Sequence, residues 1–415
     1  MEPIRLIHVA DIHLGYTGST SLLFGADESS AGRYIREVDI ERAVKWFTKC
    51  VIAEQPPVDL VVIAGDLFHR SVPLPRAIAL AAQFVRRLVQ HGIEVVIIDG
   101  NHEISNTSDT GSPTTFLAEF GAHVINEASY KVIRDGDWHG NTRLQGRLAV
   151  HALPYRAVLA QHFMGVSPLA DRLNVLLTHG RLQNMDDLNS LHRTSARIPP
   201  HVVRQAWDYV ALGDWHTHRY QALADVPAYY AGSLEALNFG EASFHPPRQD
   251  DTDALRGLLD VRLSLGKPAE IHSIEYTARR PVLRLASIDA SDMSAEALMQ
   301  RIRDRLSDNL PPEALVTLEI KACPPSVKEQ VDFVEIARLQ KCVRRCDIRW
   351  ETTRSAIGQS SELPSEATLP DQWSDFLAQQ ITDEAERSWF LAMGTERIKE
   401  ARNVLQSQQA HMGKE

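Results

Sequence analysis

Short apolar runs alternate with amphipathic stretches through about the first 275 residues of the chain. Helical patterns over residues 39–55 and 74–90 separate the first three runs. This strand–helix–strand alternation is typical of an α/β protein whose parallel-type sheet is covered on both faces. Five apolar runs are predicted to be buried strands: 4–10, 58–64, 93–98, 173–178 and 209–212.

Each of the five predicted strands is followed by a polar side chain that is able to bind a metal ion. In open α/β sheets, ligands bind in the crevice beyond the carboxyl ends of the strands, so we expect these side chains to converge. Imidazole nitrogen with carboxylate and amide oxygen, and no thiolate, suits divalent ions such as Mn, Fe, Zn or Mg. The candidates are Asp11 and His13, Asp66, Asn101 with His102, His179, and Asp214 with His216.

The arrangement of these candidates predicts two ions. Asp11 and His13 stand where a strand ends and the chain bends, so both side chains are able to reach the same ion. Asp66, from the next strand, is able to bridge two ions about 3.5–4 Å apart, the spacing found in two-metal hydrolases. Asn101 and His179 would then hold the second ion.

Such an ion pair would activate a hydroxide near neutral pH and stabilise the charge of a phosphoryl transition state, which predicts a phosphodiesterase. The leaving oxygen also needs an acid, and His102 is the candidate because histidine suits proton transfer near neutral pH. Each motif alone is weak, since a Gly-Asn-His segment is often only a turn. The ordered set of five carries the prediction.

The alternating pattern ends near residue 280. Residues 282–350 read as a small α+β unit, and residues 351–370 are rich in Ser, Glu and Pro, which is typical of a linker. The tail from 371 to about 406 is predicted to form amphipathic helices. The predicted domains are 1–278, 279–350 and 351–415, and the aromatic side chains of the tail are Trp373, Phe376, Trp389 and Phe390.

The formal net charge of −10 argues against tight autonomous binding to nucleic acid, because that affinity comes mostly from Lys and Arg. Bound divalent ions or a basic partner subunit would offset this charge. The chain contains no run of eighteen apolar residues, so we expect no membrane span. The N-terminus enters a strand pattern without a leader, and we therefore expect a cytoplasmic protein.

The four cysteines do not form a disulfide framework in a chain of 415 residues. We expect reduced thiols, because a structural zinc site at Cys323, Cys342 and Cys346 would lack an identifiable fourth ligand. His8 and His151 fall within predicted strands and are expected to be core or edge histidines.

The strand-end motifs resemble the signature of the calcineurin-like metallophosphoesterase superfamily. The similarity is closer to the SbcD-type DNA repair exonuclease subunits, and it covers residues 4–280 well. It implies an αββα sandwich of two sheets, a small α+β domain that caps DNA, and a helical tail that binds a partner. The resemblance rests on Asp11-x-His13, Leu14-Gly15, Gly65-Asp66-Leu67-Phe68-His69, Gly100-Asn101-His102, His179, Gly213-x-x-His216, Tyr230-Ala231-Gly232-Ser233 and Phe239-Gly240-Glu241.

The resemblance also implies roles for the site residues. Asp66 would be shared between the two ions, His102 would assist the leaving group, and His69 would contact the substrate phosphate; from the residues alone, His69 reads as a surface histidine. We expect two divalent metal ions, with Mn²⁺ preferred over Mg, Fe or Zn. The two implied ligand sets are Asp11, His13, Asp66 and His216, and Asp66, Asn101, His179 and Asp214.

The family's fifth motif is usually Gly-His-x-His, whereas this chain has Asp214 at the first histidine position. Asp214 would bind the second ion directly, or a shifted loop would present His216 and His218 instead, or the second ion would bind weakly. All three interpretations are open at this point.

The predicted function is a metal-dependent DNA exonuclease or endonuclease that works in DNA repair or processing. The resemblance implies an SbcC-type coiled-coil ATPase as partner and a homodimer formed through the nuclease domain. Two other functions are kept: a phosphoesterase for nucleotides or another small phosphoester, and a non-catalytic DNA-clamp subunit.

Overall fold

The computed structural model describes residues 2–18, 32–104, 111–183, 196–246, 255–306, 309–352, 387–388 and 391 of the 415 residues. Contacts divide the chain into two compact units, one of Met1–Lys321 with Gln330–Glu351 and one of Ala322–Glu329 with Thr352–Glu415.

The strands of the described residues are β1 Ile4–Val9, β2 Leu60–Ala64, β3 Glu94–Ile98, β4 His123–Ile125, β5 Lys131–Arg134, β6 Leu148–Leu153, β7 Leu173–His179, β8 Arg181–Leu182, β9 Arg197–Ile198, β10 Tyr209–Gly213, β11 Tyr220–Leu223, β12 Ala228–Tyr230, β13 Ser243–His245, β14 Gly257–Leu263, β15 Glu270–Glu275, β16 Val282–Leu285, β17 Ile288–Asp289, β18 Leu315–Cys323 and β19 Arg345–Thr352. The described α-helices are α1 Ile35–Ala53, α2 Pro75–Gln90, α3 Tyr155–Leu159, α4 Pro200–Val203, α5 Ala295–Arg305, α6 Pro325–Glu329 and α7 Phe333–Leu339.

The first sheet has the order β15-β14-β1-β2-β3-β4. Its strands β1, β2, β3 and β4 pair in parallel, while β14 and β15 add an antiparallel edge. Every residue of β1, β2 and β3 is buried, which confirms that the three apolar runs are central strands.

Helices α1 and α2 cover one face of this sheet. Phe47 of α1 and Phe84 of α2 pack edge to face in the core, with ring centroids 5.9 Å apart. Helix α2 begins at Pro75, where the lost amide hydrogen costs least. Helix α1 begins at Ile35, four residues before the predicted start. Its first turn contains buried polar residues, Arg36 among them, that obscure the apolar face in the sequence.

The second sheet has the order β11-β12-β10-β7-β6-β5 and carries the other two predicted strands, β7 and β10. Residues that alternate along both sheets form a shared core, in which Leu6 and Val62 of the first sheet meet Val175 and Leu177 of the second. Helices α3 and α4 pack on the outer face of the second sheet. The two-sheet αββα sandwich is therefore confirmed.

A third sheet has the order β13-β16-β18-β17, with β19 paired to β18. The predicted strand and helix pattern of residues 282–350 is present in β16, α5, β18, α7 and β19. Strand β13 joins this sheet by pairing with β16, although it precedes residue 278. A division of the chain at residue 278 stays a prediction.

Glu351 and Thr352, the first two residues of the predicted linker 351–370, end strand β19. The rest of that linker and the aromatic residues Trp373, Phe376, Trp389 and Phe390 lie outside the described residues. The four cysteines are free thiols. Among the described residues, no helix combines the length and the apolar character needed to cross a membrane.

Candidate metal centre

The ends of the strands bend sharply at the crevice between the two sheets. Asp11, His13, Asp66 and Asp214 all have positive φ, at 50°, 53°, 52° and 94°. Residues other than glycine rarely adopt this backbone conformation, and it recurs at functional sites. The bends are tied together, since the amide of Asp11 donates to the carbonyl of Gly65 at 3.2 Å and that of His13 to Asp66 at 2.9 Å. Neighbouring side chains are thereby turned into one crevice.

Gly65 is required at its position by close approach as well as by its φ of +82°. A Cβ atom on Gly65 would collide with the ring of His179, and a Cβ on Gly100 would collide with the carboxylate of Asp66. The two glycines therefore let three loops pack tightly enough to bring Asp66 and His179 together.

One group of candidate ligands surrounds His13. The Nε2 atom of His13 lies 3.4 Å from Nε2 of His216 and 3.6 Å from Oδ2 of Asp66. One ligand atom each from Asp11, His13 and His216 lie within 4.8 Å of one another. The first predicted ligand set thus meets at one point of the crevice.

A second group surrounds His179. Its Nε2 atom lies 3.0 Å from Oδ1 of Asn101, 3.6 Å from Oδ1 of Asp66 and 3.9 Å from Oδ1 of Asp214. Its Nδ1 atom donates to the carbonyl of Ala64 at 2.7 Å, so Nε2 is the ring nitrogen that faces the site. The two carboxylate oxygens of Asp66 face different groups, so Asp66 stands between the two sets.

His69 and His102 lie beside the first group. The Nδ1 atom of His102 is 2.8 Å from the carbonyl of His69, and its Nε2 atom is 3.9 Å from Oδ2 of Asp66. Nδ1 of His69 lies 3.3 Å from Nδ1 of His13. The side chain of His102 is 33% exposed, so it faces the open part of the crevice. The structure places all nine predicted site residues at this crevice.

His218 points away from the crevice. Its Nδ1 atom lies 2.7 Å from the carbonyl of Ala231 and its Nε2 atom 2.9 Å from the hydroxyl of Ser273. Both ring nitrogens are therefore engaged elsewhere, and Asp214 is the side chain that faces His179.

Three outer residues were not identified from the sequence. The buried carboxylate of Glu103 accepts the amides of Asp66, Phe68 and Gly100 at 2.7–3.1 Å and so joins two of the loops. Its position directly after the Gly-Asn-His motif was the signal that was available in the sequence.

Arg181 and Glu241 are the other two outer residues. Nε of Arg181 donates to Oδ2 of Asp214 at 3.1 Å, while its guanidinium lies 5.1 Å from the ring centroid of Trp215. Glu241 lies 3.1 Å from Nδ1 of His216. Glu241 belongs to the Phe239-Gly240-Glu241 motif of the resemblance, but no role was assigned to it, and nothing in the local sequence indicated the contact of Arg181.

Ionisable groups of both signs crowd the crevice. Burial raises the pKa of Asp11 to about 6, and the neighbouring Asp66 and Asp214 carboxylates oppose its ionisation further. Burial lowers the pKa of His13 well below its ordinary range and that of His69 to about 4, so both rings are neutral at pH 7. Burial opposes the charged form of His216 as well, but the Glu241 carboxylate raises its pKa to about 9.

The donor set fits divalent metal ions. Three carboxylates, an amide oxygen and the inward-facing nitrogens of buried imidazoles meet there without thiolate, which is the chemistry of a borderline-to-hard cation. The crevice above them encloses a cavity of about 620 Å³. Its wall includes His69, His102, Arg181 and Trp215.

Comparison with known proteins finds one matching family model and several relatives. Residues 4–209 match the model of the family "Calcineurin-like phosphoesterase". The chain is 28% identical over 313 residues to a protein of Methanopyrus kandleri, and the aligned region covers 72% of this chain and 62% of the relative. It is 25% identical over 365 residues to a protein of Archaeoglobus fulgidus, covering 84% and 74% of the two chains.

A protein of Aeropyrum pernix is 27% identical over 250 residues, which is 57% of this chain and 55% of the relative. All three relatives are called "DNA double-strand break repair protein Mre11". The match thus spans less than two thirds of the M. kandleri and A. pernix proteins.

Proposed function

We propose that this chain, which contains a calcineurin-like phosphoesterase domain and has Mre11 homologues, is a metal-dependent nuclease that hydrolyses DNA phosphodiester bonds in DNA repair or processing. The observation that carries the proposal is the meeting of the seven candidate metal ligands in one crevice with Asp66 between the two sets. The repair function named for the relatives supports DNA as the substrate.

The proposed site takes two divalent ions, and Mn²⁺ suits its oxygen-rich, thiolate-free donors. When bound, the ions supply an activated hydroxide and stabilise the charge that develops on the phosphate. The proposed ligands are Asp11, His13, Asp66 and His216 for one ion and Asp66, Asn101, His179 and Asp214 for the other.

In this proposal His102 delivers a proton to the leaving alkoxide. The carbonyl of His69 accepts the Nδ1 hydrogen of His102, so Nε2 of the protonated ring would be the atom that gives up the proton. The ring of His69 is neutral at pH 7, so it would contact a substrate phosphate as a hydrogen-bond donor without a charge.

We further propose that Asp214 is a ligand in its own right. Arg181 holds Oδ2 of Asp214, and this leaves Oδ1 on the side of His179. The hydrogen bonds of His218 support the same choice over a shifted loop.

The proposed partners are DNA, an SbcC-type coiled-coil ATPase and a second copy of the chain, in the cytoplasm. A homodimer through the nuclease domain is supported by apolar side chains exposed at and before the start of α2, where Val72 is 68% and Leu74 42% exposed. The predicted ATPase-binding residues of the tail lie outside the described residues.

A second candidate function is hydrolysis of nucleotides or another small phosphoester. The net charge of −10 and a cavity of about 620 Å³, which is large enough for a nucleotide, favour it. The non-catalytic DNA clamp is the weaker alternative, because a chain that had lost catalysis would have no reason to keep both candidate ligand sets.

The test is a substrate panel with purified protein and Mn²⁺: linear duplex DNA, single-stranded DNA, a nucleotide and bis-p-nitrophenyl phosphate. We expect DNA to be degraded, and the Asp66→Asn protein, prepared in the same way, excludes a contaminating nuclease. Hydrolysis of only the small esters, even with the ATPase partner present, would replace DNA by a small substrate. Binding of DNA with no hydrolysis of any ester would favour the clamp.

A further inference from the structure

A second cluster of metal-binding side chains lies at the opposite edge of the first sheet. Glu94 begins β3 and His123 begins β4, whereas the candidate metal centre follows the other ends of the parallel strands. His139 comes from the loop after β5. One ligand atom from each of the three side chains lies within 4.8 Å of the other two.

The carboxylate of Glu94 is the fixed part of this cluster. Its Oε1 atom accepts the amides of Gly140 at 3.0 Å and Asn141 at 3.3 Å. Its Oε2 atom faces Nε2 of His123 at 2.9 Å and Nδ1 of His139 at 3.5 Å. One oxygen therefore anchors the loop, and the other is presented to two imidazoles.

The loop is also held from a second side. The Nδ2 group of Asn141 donates to the carbonyl of Asp59 at 3.1 Å, and the neighbouring Trp138 is buried with its ring against that of His123. These contacts keep His139 next to Glu94 without any ion, so the ligand atoms are brought together by the fold.

We propose that Glu94, His123 and His139 bind a divalent transition-metal ion, with zinc as the preferred ion. Two histidines and one glutamate are a known zinc donor set, and three protein ligands leave the fourth position for water. The side chain of His139 is 54% exposed, which gives that position access to solvent. The bound ion would tie the loop to the start of β3 and β4.

The charge balance points the same way. Glu94 is 5% exposed, and a buried carboxylate needs a nearby positive charge. Among the described residues, the basic side chains within 4 Å of its carboxylate are the imidazoles of His123, at 2.9 Å, and His139, at 3.5 Å. A divalent ion held by both imidazoles would place a positive charge beside this carboxylate.

Binding requires one rearrangement. The rings of His123 and His139 are stacked, with centroids 4.2 Å apart and planes inclined by 17°. Since an ion lies in the plane of each imidazole that binds it, the half-exposed ring of His139 has to turn out of the stack. His123 is largely buried and already faces Glu94.

The test is zinc titration of metal-free protein by calorimetry, with wild type, His139→Ala and His91→Ala compared. His91 is an exposed histidine outside both clusters and serves as the matched control. We expect His139→Ala to bind one equivalent of Zn²⁺ fewer than wild type, and His91→Ala to bind as many as wild type. Equal stoichiometry and affinity for wild type and His139→Ala would overturn the proposal.

A second measurement guards against loss of structure in the variant. Zn²⁺ should raise the melting temperature of wild type more than that of His139→Ala, and the metal-free melting temperatures of the two proteins should agree within a few degrees. Cobalt absorption should likewise lose one component in His139→Ala. Nuclease activity with Mn²⁺ should be unchanged in this variant, so the outcome is independent of the proposed function.

Discussion

The two halves of the candidate metal centre are supported by outer residues of opposite charge. Behind His216 stands the carboxylate of Glu241, whereas behind Asp214 stands the guanidinium of Arg181. Glu241 is negative beside His216, which is able to carry a positive charge, and Arg181 is positive beside Asp214, which is able to carry a negative charge. At the position where the metallophosphoesterases that this chain resembles usually have a histidine, this chain has Asp214, and the neighbouring Arg181 compensates its charge.

In the half of the site around His179, an aspartate stands at position 214 in place of the usual histidine, and Arg181 balances its charge. Burial raises the pKa of Asp214, while His179 and Arg181 oppose that shift. In the first half, burial opposes ionisation of Glu241, but His216 lowers its pKa to about 2. Without metal, His216 and Glu241 are thus an ion pair near neutral pH, and metal binding at His216 has to release a proton. No such release is needed from Arg181.

The largest effect is expected for Asp66→Asn, which removes the carboxylate between the two halves. Both halves should lose metal affinity, and DNA hydrolysis should fall by more than about 10⁴-fold, since several kcal/mol of charge stabilisation are lost. Activity is measured by release of labelled nucleotides, and metal content by mass spectrometry. A variant that keeps two ions and substantial activity would contradict the position assigned to Asp66.

The next effect is expected for His102→Ala, which leaves both ligand sets in place. Loss of the acid should lower kcat by about 10²–10⁴-fold, while metal content stays at the wild-type level. A substrate with a p-nitrophenolate leaving group needs little protonation, so its hydrolysis should be much less affected. An equal loss on both substrates would show that His102 is not the acid.

Arg181→Ala should act on the second half alone. Asp214 would lose its cation and its orientation, and the affinity for one Mn²⁺ ion should fall by about 10–100-fold, as for other outer-shell partners. Calorimetric titration of metal-free protein separates the two binding events.

The matched variant for Arg181→Ala is Glu241→Gln, which should weaken the other Mn²⁺ ion by a similar factor. It should also reduce the number of protons released on binding, as measured in buffers of different ionisation enthalpy. If each variant weakens both ions equally, the two halves are not independently supported.

The smallest effect concerns His8, which lies in β1 and contacts the hydroxyl of Tyr209 at 2.9 Å. Burial lowers the pKa of His8 from 6.5 to about 3. The unfolded chain therefore binds this proton more readily than the folded chain between pH 6.5 and 3. Stability from neutral His8 is complete above pH 6.5 and is lost on acidification, by up to about 1.4 kcal/mol per pH unit.

Urea denaturation of metal-free protein at pH 7.5 and 5.0 measures this loss. His8→Gln retains a hydrogen-bonding group and should show a smaller difference in the free energy of unfolding between the two pH values. An unchanged difference would show that His8 is not a source of the acid sensitivity.

The sequence by itself determined the strands and the residues that follow them. Apolar runs, bends and strand-end ligands are local features, so β1, β2, β3, β7 and β10 and their polar ends were predictable from the chain. The convergence of eight of the nine site residues at one crevice follows from the general rule for strand ends, whereas His69 was assigned to the site only through the resemblance. The αββα architecture was reached through the resemblance, because local patterns do not assign strands to two different sheets.

The outer partners were decided only by the tertiary structure. Arg181 meets Asp214 across 33 positions, and Glu103 meets Asp66 across 37, so no local pattern links them. The same holds for Glu94, which meets histidines from two later segments. Likewise, the sequence left both Asp214 and a shifted loop with His218 open, and the hydrogen bonds of His218 to Ala231 and Ser273 support Asp214. The candidate metal ligands are recognised from short segments of the sequence. The residues that hold those ligands in place come from distant segments, which only the packing of the two sheets brings together.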